Sequence, residues 1–411
     1  MSIDPQSASA ALPLAGLRVV EFSHMVMGPT CGLVLADLGA EVIKIEPVPE
    51  GDNTRRLVGA GAGFFIMFNR NKRSLAIDSK SDAGRAALLR LIDSADVVTE
   101  NFRPGALDAQ GFGYAALSQR NPRLVYCSLK GFLAGPYEDR TALDEVVQMM
   151  GGLAYMTGPP GRPLRAGSSV NDIMGGMFAA IAILAALRQR DATGLGQYVK
   201  SGLFENNIFL VAQHMAQFAV TGQAPAPMPN RISAWGIYDL FSVRDGEQVF
   251  VAVVSDSQWK IFCAAFDLPD LYADQSLASN SQRVMARARL IPRLAECFAG
   301  YGKAELVAKL EAHGLPFAPV TRPEELFDDP HLNHSGGLLP LTMPDGRETR
   351  LPALPMQFGS LADGDAAGHG RLPLRRSPPQ VGEDSADLLV ELGYSAEEIA
   401  AMVAAGNLRI A

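Results

Sequence analysis

Residues 168–176 read SSVNDIMGG and place one carboxylate, Asp172, at the entrance of a long apolar stretch. From Ala166 to Leu187 no other residue is charged. Two chemistries fit an aspartate there. As a helix N-cap, its carboxylate would accept the free N–H groups of the first turn. As a nucleophile, the same carboxylate would be held ionised by those N–H groups and the helix dipole, and would attack an activated acyl group. Small neighbours (Gly167, Ser168, Ser169, Gly175, Gly176) would leave room for a substrate. On these residues alone both readings stand.

Other reactive side chains are scattered. Cys31, Cys127, Cys263 and Cys297 show no C-x-x-C spacing, so neither a disulfide framework nor a zinc site is expected, and a reducing cytoplasm fits. One H-x-x-H occurs in a loop-like DDPHLNH (328–334), where no metal is expected. GAGAG (59–63) does not match G-x-G-x-x-G, and neither G-x-S-x-G nor a Walker A sequence occurs. A dinucleotide-dependent dehydrogenase is therefore disfavoured. Basic residues do collect near predicted strand ends: Lys44, Arg55, Arg56, Arg70, Lys72, Arg73, Lys80, Arg103, Lys130 and Arg140. Singly each reads as a solvated rim. Several at one sheet edge suit a ligand that carries phosphates.

The elements that must position these groups follow from the pattern. LRVVEF (17–22), EVIKIE (41–46), KRSLAID (72–78), DVVTEN (96–101), LVYCSLK (124–130) and GQYVKSGLFE (196–205) read as strands. TCGLVLADLGA (30–40) and SDAGRAALLRLIDSA (81–95) read as helices between them, the second capped by Ser81 or Asp82. Short apolar strands alternating with helices predict an α/β fold with a Rossmann-like parallel sheet. Ligands of such sheets bind at the carboxyl ends of the strands. The loops after Phe22, Glu46, Asp78, Asn101 and Lys130 are then the places for a site. Residues 1–220 read as the first part of this large domain, and the proline-rich TGQAPAPMPNRI opens a linker over 221–234. Residues 235–330 read as a smaller α+β domain with a hairpin turning at Asp245-Gly246, and 331–411 as the return to the large domain.

With 411 residues, 48% hydrophobic and 19% charged, the chain can bury a large core. The net charge of −8 argues against nucleic acid as a partner. The longest uncharged apolar run, Ile173–Leu187, is 15 residues, short of a bilayer span, and the N-terminal stretch lacks the pattern of a secretion signal, so no membrane partner is expected.

Several stretches together resemble one family, the family III CoA-transferases. They are PLAGLRVVEFSHMVMGP (13–29), LADLGAEVIKIEPVPEGD (35–52), FNRNKRSLAID (68–78), ENFRPGALDAQGFGY (100–114), NPRLVYCSLKGFLAGPY (121–137), RAGSSVNDIMGGMFAAIAILAAL (165–187) and TGLGQYVKSGLFE (193–205). Their order and spacing make the match specific. The resemblance implies an inserted small domain and an interlocked homodimer. It implies transfer of CoA from an acyl-CoA to a free acid, with CoA as substrate and no permanently bound cofactor, and it puts the family's nucleophile on Asp172. It implies CoA contacts at His24, Met25, Val26, Met27, Ile77, Lys80, Asn101, Phe102, Arg103, Arg140 and Leu143. Pro47, Ala109 and Gln110 depart from basic residues found in some members.

The likeness is closest to members that use succinyl-CoA and small diacids or their analogues, such as itaconate, mesaconate, citramalate or 3-sulfinopropionate. Arg73, Arg165 and Arg231 are the expected partners of a second carboxylate. An acyl-CoA racemase or epimerase shares the fold, but those relatives carry a histidine where this chain has Leu143. A non-catalytic CoA-binding protein is the remaining alternative.

Overall fold

The early strands are apolar on both sides. In β1 (Arg18–Phe22) Val19 faces one layer and Val20 the other, and β2 (Glu41–Glu46) repeats the pattern with Val42 and Ile43. Such strands need helices on both faces of the sheet. The computed structural model, which describes residues 12–231, 233–244, 246–359 and 370–411, shows that arrangement. Asp245, half of the expected hairpin turn, lies outside the described residues, as do residues 1–11 and His369. With β3 (Lys72–Ile77), β4 (Val97–Glu100), β5 (Val125–Lys130) and β6 (Tyr198–Gly202), the order is β3-β2-β1-β4-β5-β6, all parallel. Leu408–Arg409 adds an antiparallel edge strand beside β3, so the chain's end closes the same sheet. The strand order reverses direction between β1 and β4, where an open α/β sheet leaves a crevice.

Among the described residues, the first part of the chain holds eight α-helices: α1 (Met27–Asp37), α2 (Phe64–Phe68), α3 (Asp82–Asp93), α4 (Tyr114–Arg120), α5 (Asp144–Met150), α6 (Leu153–Thr157), α7 (Val170–Thr193) and α8 (Leu203–Thr221). Cys31 and Leu35 of α1 and Ala179 and Ile183 of α7 cover one face of the sheet. Leu88 and Leu91 of α3, Leu117 of α4 and Leu388 and Ile399 of the C-terminal helices cover the other. Ser81 caps α3 by accepting the Gly84 N–H. α1 begins at Met27, three residues before the expected start, because Pro29 is tolerated in a first turn.

α1 and α7 touch through glycine. A Cβ on Gly176 would lie 2.5 Å from the Met27 carbonyl oxygen, and one on Gly175 2.5 Å from the Met27 methyl. This pair serves helix packing, not the substrate room expected of it. By length and composition α7 is apolar enough to cross a membrane, yet 44% of its most apolar window is buried inside the fold.

The chain divides between Pro225 and Ala226, inside the stretch 221–234, and again between Asp329 and Pro330. The inserted unit, Ala226–Asp329, holds β7 (Ile237–Ser242), β8 (Gln248–Val253) and β9 (Phe317–Pro319) as an antiparallel sheet. Its own core is built on Trp259, Phe262 and Phe298.

Candidate active site

Arg56 and Lys80 are exposed, Arg56 paired with Glu50, and the other basic residues expected at the sheet edge fall into two groups. The first is spent inside the protein. Glu21 of β1 lies between Lys72 of β3, at 2.8 Å, and Lys44 of β2, at 3.4 Å. Lys44 also pairs with Asp52 at 2.9 Å and donates to the Ser23 carbonyl at 2.7 Å. Arg70 pairs with Asp37 at 2.7 Å and Arg55 with Glu46 at 2.6 Å. Arg73, expected to hold a substrate carboxylate, sits near the start of β3 and pairs with Glu41 at 2.6 Å and Glu391 at 2.8 Å. The beginning of a parallel strand is the end away from the crevice, so the structure removes Arg73 from the site.

The second group faces the β1–β4 crevice. There Asn101 clamps the turn out of β1, accepting the His24 N–H at 3.0 Å and donating to the His24 carbonyl at 2.8 Å. The clamp holds Met25 at φ 64°, a left-handed conformation that a non-glycine residue seldom takes. The His24 ring lies 5.2 Å from that of Phe102, and burial lowers its pKa, with Asp52 opposing. Two adjoining hollows of about 530 and 310 Å³ open here. They share a wall of His24, Met25, Asn101, Lys130 and Leu143. Arg103 and Arg140 line the larger one and make no ion pair among the described residues. Lys130 is committed to Glu100 at 2.7 Å and to the Phe102 carbonyl at 2.6 Å.

Asp172 lies in the wall of the smaller hollow, with Met27, Ala60, Phe64, Asp144, Glu145 and Arg165. It is the third residue of α7, not its cap. The first-turn amides are used elsewhere. Asp144 of α5 accepts the Asn171 N–H at 2.7 Å and the Asp172 N–H at 3.1 Å through one oxygen. The Val170 N–H goes to the Ser168 carbonyl and that of Ile173 to Ser169. Among the described residues no donor reaches the Asp172 carboxylate. Burial pushes its pKa up to about 7, helped by the charges of Asp144 and Glu145. This overturns the expectation that helix amides would hold Asp172 ionised.

A model of CoA-transferase family III matches residues 14–385. The chain belongs to that family. It is 32% identical to the succinate–glutarate CoA-transferase of Agrobacterium fabrum, over 92% of this chain and 96% of the relative. It is 34% identical to the succinyl-CoA:mesaconate CoA-transferase of Haloarcula hispanica, over 82% and 87%. A CAIB/BAIF family protein of Brucella suis has the same fold, with a TM-score of 0.79, 35% identity and coverage of 93% of this chain and 99% of that one. The protein is a CoA-transferase, an enzyme whose substrates are CoA thioesters.

In this CoA-transferase the expected CoA contacts are not all in one place. His24, Met25, Asn101, Phe102, Arg103, Arg140 and Leu143 line the larger hollow, and Met27 the smaller. Val26 is 1% exposed and packs with Leu33 and Phe68, away from both hollows. Ile77 is 1% exposed, its side chain pointing into the core under α3. Lys80 is exposed in the turn after β3 and lines neither hollow. Arg165 lines the hollow of Asp172 and pairs with Glu145. Arg231 belongs to the inserted unit, where it contacts Met228.

The surroundings of Asp172 also include residues that the sequence did not single out. Ala60 and Phe64 show that GAGAG leads into the wall of the hollow rather than a phosphate loop. Asp144 is the first residue of α5, and nothing local in the sequence tells that its carboxylate serves α7.

Proposed function

We propose that this CoA-transferase moves CoA from succinyl-CoA to a small dicarboxylic acid, with Asp172 as the acyl carrier. The observation that carries this reading is a half-buried carboxylate, free of hydrogen bonds among the described residues, in a hollow continuous with the β1–β4 crevice. The names of the relatives support the diacid. The unpaired Arg103 and Arg140 suit the phosphates of CoA.

The chemistry balances without ATP. The Asp172 carboxylate attacks the thioester carbon, the C–S bond breaks, and a mixed anhydride forms as CoA thiolate leaves. The thiolate attacks the aspartyl carbonyl, releasing the donor acid and leaving an aspartyl-CoA thioester. The acceptor carboxylate attacks that thioester and expels the thiolate, giving a second anhydride. The thiolate then takes the acceptor acyl group and frees Asp172. Each attack makes an oxyanion that needs fixed donors. The α7 amides are occupied, so those donors come from another element. Water must be excluded while an anhydride exists.

Arg165 is the partner we assign to the second carboxylate, which would replace Glu145 on the guanidinium. We further propose that a second copy of the chain covers the outer faces of α5, α7 and α8. Met149, Ile181, Phe209, Phe218 and Val220 stand exposed there, 52%, 57%, 67%, 52% and 86% respectively. An interlocked homodimer fits that surface, and light scattering at micromolar protein would show twice the chain mass.

The test is incubation with succinyl-CoA, followed by peptide mass analysis and a screen of acceptor acids. A succinyl or CoA adduct on the Asp172 peptide and transfer to C4–C5 diacids are expected. Transfer without any adduct on that peptide would overturn the carrier role. A CoA-binding protein without catalysis would give no exchange, and a racemase would instead wash solvent deuterium into the acyl α-carbon.

A further inference from the structure

We infer that Asp144 is a positioning residue for Asp172: it caps α7 in place of Asp172 and also sets a like charge beside that carboxylate, and the two together leave the carboxylate free and reactive. The inference rests on the carrier role of Asp172.

Asp144 is 3% exposed and belongs to α5, not α7. One of its oxygens takes both the Asn171 and the Asp172 N–H. Its other oxygen accepts from the Gln148 side chain, whose carbonyl accepts the Ala166 N–H at 2.8 Å. The cap is therefore fixed at both oxygens and ties α5 to the segment entering α7. A carboxylate that caps its own helix is stabilised by those N–H groups and is a weaker base. Moving the cap to another helix keeps α7 stable and removes that stabilisation from Asp172. It also sets a second negative charge near Asp172.

The other charged or titratable groups facing this hollow are Glu145 from α5, Arg165 from the segment before α7, Lys130 from β5 and His24 from the β1 turn. Arg165 is paired with Glu145 and Lys130 with Glu100, so their charges are largely compensated. The raised pKa of Asp172 agrees with this geometry.

Asp144→Asn keeps an oxygen toward the two amides and deletes the charge; Asp144→Ser is a second neutral acceptor. The readout is the pH dependence of adduct formation on the Asp172 peptide in a single turnover with succinyl-CoA. The acid limb of the wild type is expected near neutral pH. Removing a like charge lets Asp172 ionise more readily, so the limb should move down by about one pH unit in either variant that melts with the wild type. An unmoved limb in such a variant would reduce Asp144 to a structural cap and overturn the inference. So would a wild-type limb in the ordinary carboxylate range near pH 4, a result that needs no variant. If the wild type forms no adduct, the carrier role itself falls, and this inference with it.

Discussion

Asp52 and Asp172 are the same side chain in two settings, one buried in the loop after β2 and one half-buried at the mouth of α7. Burial alone would raise the pKa of both. At Asp52 the Lys44 ammonium and the Thr54 N–H and hydroxyl outweigh burial, and the pKa falls to about 2. At Asp172 the nearest charges are carboxylates and the nearest N–H groups are taken, so the pKa rises to about 7. The first region is a closed ionic network in which every strong charge has a partner. The second leaves one carboxylate unsatisfied where a ligand can reach it. Perturbed groups of the second kind mark reactive sites, while those of the first kind hold the fold.

The largest effect is expected where the comparison is broken outright. Asp172→Asn and Asp172→Ala should both lower CoA transfer by at least ~10³-fold. Neither should lower the melting temperature, because the α7 cap is Asp144. An active Asn variant would return Asp172 to the class of structural carboxylates.

Breaking the closed network should act on stability instead. Lys44→Met leaves Asp52 without its cation and Glu21 with Lys72 alone, and should cost about 3–5 kcal/mol in denaturant unfolding. A loss below about 1 kcal/mol would mean that the network contributes little.

The pH dependence of stability sharpens the contrast because its sign differs between the two sites. The Asp52 pKa is lower folded than unfolded, so its contribution is present above about pH 4 and fades as pH falls toward 2. The Asp172 pKa is higher folded than unfolded, so its charge increasingly opposes folding as pH rises from about 4 through 7. Asp172→Asn should therefore be more stable than the wild type at pH 8, by on the order of 2 kcal/mol, and equal to it at pH 4. Unfolding curves at the two pH values check this; a gap of the same size at both would contradict it.

The smallest effect concerns the cation in the second region. Arg165→Ala should reduce kcat/KM for a diacid acceptor about tenfold relative to a monoacid, with Arg165→Lys between the two. Equal losses for both acids would take Arg165 out of acid recognition.

The sequence by itself determined the sheet and its ligand edge. Apolar doublets such as Val19-Val20 and Val97-Val98 demand burial on both faces, and strand–helix alternation then demands a parallel order. The ordered motifs named the family and picked out Asp172, because a lone charge before an apolar helix is visible in one dimension. The chain could not say which charges find partners, since pairing depends on elements far apart in sequence. Lys44, Lys72 and Arg73 read like Arg103 and Arg140, but strand order brings Glu21, Asp52 and Glu41 to the first three. The same holds for the cap. Asp172 had the right residue type and place to cap α7, and only the packing of α5 against that helix gave the task to Asp144. The fold thereby decided that Asp172 is the carboxylate left free.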